Sequence, residues 1–137
     1  MMFLDTNRIA LCVQQPWAEL IVRGIKQIEI RSQATTVRGP IYVYATAPLS
    51  RHPGTDRNLV KHRLTAEELP RQVVLGTVHI LDCRRATSQD ARQALVTGAS
   101  LRQKHAWLLG EPQAFEEPIP ARSAPYGIWF YPFREQG

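Results

Sequence analysis

Residues 10–31 read ALCVQQPWAELIVRGIKQIEIR, and three patterns follow one another within this stretch. Residues 9–13 form a short apolar run of strand length, which a proline then ends. Apolar side chains at helical spacing follow between residues 17 and 21, and Gly24 can supply a left-handed helix cap. Residues 26–31 then alternate between polar and apolar, as a half-buried strand does. The stretch therefore predicts a strand, a helix of about two turns and a second strand.

The remainder of the chain predicts more strands than helices. Further strands are predicted at residues 41–45, 73–81, 105–109 and 126–131. A long loop is predicted at residues 47–63, with a helical turn near Leu59. A short helix is predicted after Thr65, because Thr65 and Glu68 have capping-box spacing, and another from Ser88 to Gly98. Because strands and helices do not alternate regularly, the pattern indicates an α+β or mainly β architecture. The length of 137 residues fits a single domain over residues 1–137.

The composition is that of a compact folded chain, with 44% apolar residues. No run approaches the roughly 18 apolar residues that a membrane-spanning helix needs, and the N-terminus lacks the basic lead-in of a signal peptide. We therefore expect a cytoplasmic protein that does not contact a membrane. Cys12 and Cys83 lie in apolar runs, and we expect both to be buried free thiols.

The chain is basic, with 17 Lys and Arg residues against 12 Asp and Glu and a formal net charge of +5. Most of the cations are arginines, whose planar fork binds phosphate and stacks on bases. A GC-rich genome would enrich arginine in the same way. The cations are concentrated in residues 51–63 and 84–104, and such stretches favour a polyanionic partner without identifying it.

Three charged residues, Lys26, Glu29 and Arg31, lie within six positions beside an apolar strand. Buried charges are costly unless they are paired or face a polar ligand. Glu29 and Arg31 share a strand face, whereas Lys26 joins them only if the chain turns after Gly24. Two interpretations follow: an ion pair on the rim of the fold, or a site that holds a polar ligand.

The sequence contains no metal-binding or cofactor motif. Its four histidines are scattered, with no spacing typical of a zinc site, and no phosphate-binding glycine loop occurs. We therefore predict neither a metal nor a cofactor. The histidines are His52, His62, His79 and His105.

Several of these segments together resemble the signature of the ASCH domain family. That signature has an apolar strand, Gln-Pro-Trp, a short helix and then Gly-x-Lys-x-x-Glu-x-Arg. Residues 15–17 supply the Gln-Pro-Trp here, and the second motif is met by Gly24, Lys26, Glu29 and Arg31. The similarity continues at residues 38–46, 76–78, 105–109 and 118–122.

This resemblance implies a PUA-like β-barrel with two to four short helices and a cleft beside the Gly-x-Lys turn. It also implies RNA or a modified nucleotide as the ligand, since members are associated with RNA metabolism or transcriptional coactivation. The basic stretches 51–63 and 84–85 would then follow the nucleic-acid backbone. A protein partner that presents a peptide carboxylate stays open, and a monomer is the default. The expected ligand-binding residues are Trp17, Lys26, Glu29 and Arg31, with Arg38 and Thr46 at the edge of the cleft.

The same resemblance leaves an enzymatic alternative open, because small bacterial members include an acetylcytidine amidohydrolase and a nuclease. The amidohydrolase motif resembles Gly-x-Lys-x-x-Thr-x-Arg. Lys26 matches its lysine, but Glu29 stands where that motif has its threonine nucleophile. A hydrolase built on this chain would have to use Glu29 to activate water and Lys26 to stabilise negative charge.

Overall fold

The structure is a computed structural model, and it describes residues 3–135. Its centre is one mixed sheet of six strands, with short helices between them. The strands are β1 (Ala10–Gln15), β2 (Ile28–Arg31), β3 (Gly39–Leu49), β4 (Val73–Arg85), β5 (His105–Pro120) and β6 (Trp129–Phe130). The helices are α1 (Trp17–Val22), α2 (Thr55–Lys61) and α3 (Ala91–Ala94), with 3-10 turns at Ala66–Glu68, Ser88–Asp90 and Gly98–Leu101. None of the helices within residues 3–135 is long and apolar enough to cross a membrane.

The strands lie in the order β2-β5-β4-β3-β1-β6. β1 runs parallel to β3, and the other neighbouring strands are antiparallel. Alternate side chains of β3 enter two different cores, because successive residues of a strand point to opposite faces. Ile41 and Val43 pack with helix α1, whereas Tyr42 and Tyr44 pack with the C-terminal aromatic residues. Both faces of the central strands are therefore covered.

The predicted strand–helix–strand order of residues 10–31 is confirmed. Gln15 at the end of β1 is fully buried, and its Oε1 accepts a hydrogen bond from the backbone N–H of Glu19 at 2.9 Å. Helix α1 ends before Gly24, whose φ of +77° is the left-handed conformation that glycine adopts most readily. The Lys26 backbone N–H then donates to the carbonyl of Leu20 at 3.0 Å. This turn places Lys26 two residues before the start of β2.

The predicted closed barrel is wrong, because the sheet stays open between β2 and the β1–β6 edge. Both edge strands are short: β2 has four residues and β6 has two. They offer too few backbone groups to complete a hydrogen-bonded ladder. We call the gap between β2 and the β1–β6 edge the seam, and side chains cross it. Arg31 Nη2 donates to the Cys12 carbonyl at 2.8 Å. The rings of Trp107 and Trp129 stack with centroids 5.8 Å apart.

Several predicted boundaries also differ from the structure. The segment 47–63 is not a long loop, because β3 extends to Leu49 and α2 occupies residues 55–61, which confirms only the helical turn near Leu59. The capping box before α3 uses Thr87, and not Ser88, because the Asp90 carboxylate accepts from the Thr87 backbone N–H at 2.8 Å. The predicted strand at 126–131 is reduced to β6. The two free thiols are partly exposed rather than buried.

The close contact of β4 with β5 at Gly76 yields a stability prediction. A Cβ on Gly76 would lie 2.1 Å from the Gln113 carbonyl oxygen and 2.9 Å from the Ala114 Cα. Since both are backbone atoms, the strands would have to separate. We expect Gly76→Ala to lower the free energy of unfolding by about 3 kcal/mol or more, measured by urea denaturation.

Gly98→Ala is the matched control, because no atom lies within 4 Å of a Cβ at that position. We expect it to change the free energy of unfolding by less than about 1 kcal/mol. Equal effects of the two substitutions would contradict the β4–β5 packing.

Candidate functional site

A cleft of about 530 Å³ opens at the seam, between the ends of β1 and β2. Its floor and walls combine apolar side chains with a few charged and polar groups, a composition typical of ligand sites. The β3 end, the segment after it and the loop before β6 complete its rim. The lining residues are Cys12, Val13, Gln14, Trp17, Lys26, Glu29, Ile30, Arg31, Thr46, Pro48, Ser50, His52, Val96, Gly127 and Ile128.

Lys26, Glu29 and Arg31, which we call the charged triad, converge in this cleft. Glu29 Oε2 accepts from Arg31 Nε at 2.9 Å and lies 2.8 Å from Arg31 Nη2. Glu29 Oε1 lies 3.8 Å from Lys26 Nζ. The strand alternation predicted that Glu29 and Arg31 share a face, and the turn after Gly24 brings Lys26 to them. Both the ion pair and the convergence on a cleft are therefore present.

Lys26 is the most buried cation of the triad, with 3% of its surface exposed. Its ammonium donates to the Ala94 carbonyl and lies 5.3 Å from the centre of the Trp17 ring. Burial lowers the pKa of Lys26, and the Glu29 carboxylate opposes that effect by raising it. Lys26 thus joins the triad to the end of α3 as well as lining the cleft.

Glu29 Oε1 and the Thr46 hydroxyl are among the polar atoms of the cleft that have no hydrogen bond within residues 3–135. Glu29 Oε1 accepts none, although Lys26 lies at ion-pair distance. The Thr46 hydroxyl is buried and also lacks a partner. Buried polar atoms are nearly always hydrogen-bonded, and leaving one unpaired costs roughly 1–3 kcal/mol. The cleft therefore presents Glu29 Oε1 as an acceptor, and the buried Thr46 hydroxyl reaches a ligand only after rotation of its side chain.

Trp17 forms a wall of the cleft, and its ring N–H already has a hydrogen-bond partner within the protein. Its Nε1 donates to Ser50 Oγ at 2.8 Å, and the same oxygen accepts from the His52 backbone N–H at 3.1 Å. The His52 ring stands edge-on to Trp17, with centroids 6.2 Å apart. His52 Nδ1 lies 2.6 Å from the Pro53 carbonyl, which can only accept, so Nδ1 carries the hydrogen. In the neutral imidazole Nε2 is then an acceptor.

Sequence reasoning missed Ser50 and His52, because they follow β3 in a segment without periodicity or a motif. The only signal was their position between the strand and the Pro53-Gly54 pair. Arg38 was expected at the edge of the cleft, but it does not line it. Its guanidinium donates to the carbonyls of Thr35 and Val37 and lies 3.7 Å from Asp82. The other five expected residues line the cleft together.

Cys12 contributes a thiol to the same cleft. Burial raises the pKa of Cys12 to about 11, and the nearby Arg31 guanidinium partly opposes this rise. The thiol is therefore protonated near neutral pH and behaves as a weakly polar wall. Within residues 3–135 no three His, Cys, Asp or Glu side chains group together in a way that could hold a metal ion.

Comparison with known proteins confirms the resemblance seen in the sequence. The model of the ASCH domain family matches residues 11–119. Human activating signal cointegrator 1 is 36% identical over 80 residues, and the mouse protein of the same name is 34% identical. These matches cover 53% of this chain and 14% of each relative, so the chain corresponds to a small part of those proteins.

Solved structures with the same fold include an ASCH protein from Zymomonas mobilis. Its crystal structure matches with a TM-score of 0.62 at 17% identity, covering 93% of this chain and 88% of that chain. A point mutant of it matches with a TM-score of 0.61 at 16% identity, covering 90% and 88%. At such low identity the likeness establishes the fold alone.

The triad predicts that Glu29 matters more for stability than Lys26. Glu29→Gln leaves Lys26 buried near Arg31 without an opposite charge, which we expect to cost about 3 kcal/mol of unfolding free energy. Lys26→Met removes a buried charge while Glu29 keeps its bond to Arg31, so we expect a smaller loss, below about 1.5 kcal/mol. Chemical denaturation near neutral pH measures both values.

Glu19→Gln provides the matched control, because its pair with Arg23 is partly exposed and four residues apart on one helix. We expect that control to lose less than about 0.5 kcal/mol. A larger loss for Lys26→Met than for Glu29→Gln would overturn the assignment of Glu29 as the shared partner.

The shielding of Cys12 gives a second prediction, on its reactivity. In a Cys83→Ser background, the rate of alkylation by iodoacetamide should rise with pH around a midpoint near 11, because only the thiolate reacts. The double variant that also carries Cys12→Ser supplies the blank. A midpoint near 9, the ordinary thiol value, would show that Cys12 is not shielded in the cleft.

Proposed function

This chain belongs to the ASCH domain family, and we propose that it binds RNA by taking one base, modified or unmodified, into the cleft at the seam. The observation that carries the proposal is the pair of unsatisfied polar atoms inside the cleft, Glu29 Oε1 and Thr46 Oγ1. The edge of a nucleobase offers donors and acceptors in one plane. A base that donates to Glu29 Oε1 satisfies that acceptor, and rotation of the Thr46 side chain brings its hydroxyl to the same ligand.

The remaining groups of the cleft suit the other parts of a nucleotide. Arg31 uses Nε and Nη2 within the protein, while Nη1 has no hydrogen bond within residues 3–135. Guanidinium groups bind phosphate or a base carbonyl, so Nη1 is the donor we assign to the ligand. Ile30 and Ile128 supply apolar surface against which a base can pack.

The size of the cleft favours a single unpaired base over a duplex. A cavity of about 530 Å³ lies in the range of small-ligand pockets. Sequence-specific RNA recognition mostly uses unstacked bases from loops and single strands. The chain also carries a formal net charge of +5, which favours a polyanion.

The experiment for this proposal measures the affinity of a fluorescent single-stranded RNA by anisotropy in three variants. We expect Arg31→Gln to weaken binding roughly 10-fold or more, through loss of a charge-assisted contact. Thr46→Val keeps the side-chain shape and removes only the hydroxyl, so we expect a loss of roughly 3- to 10-fold. Arg38→Gln, outside the cleft, is the charge-matched control and should stay within about 2-fold.

Thr46→Val also protects the test against misfolding, because it adds no charge or strain to the strand end. The proposal is wrong if wild-type protein binds no RNA at low salt, or if Thr46→Val and Arg31→Gln both bind as wild type. Recovery of a peptide ligand in place of RNA would instead favour the protein-partner alternative.

A hydrolase acting on a modified nucleoside or on RNA is the second candidate. The observation that favours it is the contact between Glu29 and Lys26. Burial lowers the pKa of Lys26. In that reaction Glu29 would activate water and Lys26 would stabilise the developing negative charge. Mass spectrometry of the RNA and of acylated nucleosides after incubation separates the candidates. Product that disappears in Glu29→Gln identifies an enzyme, and unchanged RNA identifies a binding module.

A further inference from the structure

A basic groove leads away from the cleft between helices α2 and α3. It begins at Val96, which also lines the cleft, and comprises two adjoining depressions of about 340 and 580 Å³. We call this surface the α2–α3 groove. Its cations are Arg57 and Lys61 from α2 and Arg92 from α3. No carboxylate side chain lines either depression within residues 3–135.

These three cations have no internal partner within residues 3–135, unlike the arginines that contact carboxylates. Arg57, Lys61 and Arg92 are exposed and form no ion pair or side-chain hydrogen bond with residues 3–135. Each of four other arginines contacts a carboxylate: Arg23, Arg31, Arg38 and Arg84. Like charges on adjacent turns of one helix repel each other, and a bound anion removes that cost.

The groove is held in a fixed position relative to the cleft. Asn58 Nδ2 on α2 lies within hydrogen-bond distance, 3.4 Å, of the Leu95 carbonyl, just after α3. Lys26 of the triad donates to the carbonyl of Ala94, the last residue of α3. The backbone N–H of Gln27 donates to the Gln93 carbonyl at 2.9 Å. The end of α3 therefore connects the triad to α2. A ligand that occupies both the cleft and the groove meets one preorganised surface.

We propose that the α2–α3 groove binds the sugar-phosphate backbone of nucleotides adjacent to the base in the cleft. The ligand is then a single strand of several nucleotides, because a duplex cannot place an unstacked base in the cleft and its backbone between two short helices. This inference rests on the proposed function and extends it beyond a single nucleotide.

The inference also revises which basic residues face the ligand. Residues 84–85 were expected to follow the backbone together with residues 51–63. Arg84 instead forms two hydrogen bonds with Asp90, at 2.9 and 2.8 Å, and is already engaged. The proposal keeps Arg57 and Lys61 of the expected stretch, replaces Arg84 with Arg92, and leaves out Arg85, which does not line the groove.

The experiment compares two triple variants with the same change in net charge. The groove variant carries Arg57→Gln, Lys61→Gln and Arg92→Gln. The control variant carries Arg85→Gln, Arg102→Gln and Lys104→Gln, whose side chains also lack partners within residues 3–135 but do not line the groove. The probes are a fluorescent single-stranded RNA of about 12 nucleotides, a hairpin of matched length, and the four ribonucleoside monophosphates.

We expect the groove variant to bind the single strand roughly 100-fold more weakly at about 0.1 M salt. The slope of log affinity against log salt concentration should become shallower by about two units. The control variant should change by less than about 3-fold, and binding of monophosphates, which occupy only the cleft, should be unchanged in the groove variant.

Two outcomes separate failure of this inference from failure of the proposed function. The groove assignment is overturned if the groove variant binds the single strand as well as the control variant while Arg31→Gln still weakens binding. It is also overturned if the hairpin stem binds as tightly as the single strand. If wild-type protein binds neither the oligonucleotide nor any monophosphate, the proposed function itself fails.

Discussion

The Glu29 carboxylate, held between Arg31 and Lys26, links the two edges of the open sheet and the end of α3. Through Glu29, Arg31 is oriented to reach the Cys12 carbonyl across the seam, where no backbone ladder exists. Through Lys26, the same carboxylate is linked to the end of α3. One buried anion thus helps to hold two edges of an open sheet and a peripheral helix. Its cost in desolvation is offset by two cations, as buried charges require.

The open sheet explains why the cleft lies where it does. A closed barrel would fill the seam with a backbone ladder and leave no cleft. Here the stacked Trp107 and Trp129 and the Arg31 side chain cross the gap, and the space beside them remains open. The unsatisfied Glu29 Oε1 belongs to β2, which, in the part of the chain that the structure describes, has no strand beside it on the side of the seam. The open edge of the sheet and the cleft therefore have the same physical origin.

Sequence reasoning predicted the local features well and the long-range ones poorly. The β1–α1–β2 unit and the convergence of Glu29 with Arg31 follow from apolar periodicity and from a glycine turn, which are local. The openness of the sheet depends on how few residues β2 and β6 can pair, and periodicity does not report pairing between distant strands. Arg38 was misplaced because nearby carbonyls and Asp82 compete for its guanidinium. His52 was missed because the loop that positions it has no pattern.

We propose that an RNA base occupies the cleft beside the charged triad. Photocrosslinking with a single-stranded RNA that contains 4-thiouridine, followed by mass spectrometry of the attached peptides, tests this claim most directly. We expect crosslinks to residues of the cleft wall, above all Trp17, Ile30 and Ile128, and their loss on competition with unlabelled RNA. Crosslinks confined to surfaces outside the cleft, such as the outer parts of β4 and β5, would contradict it.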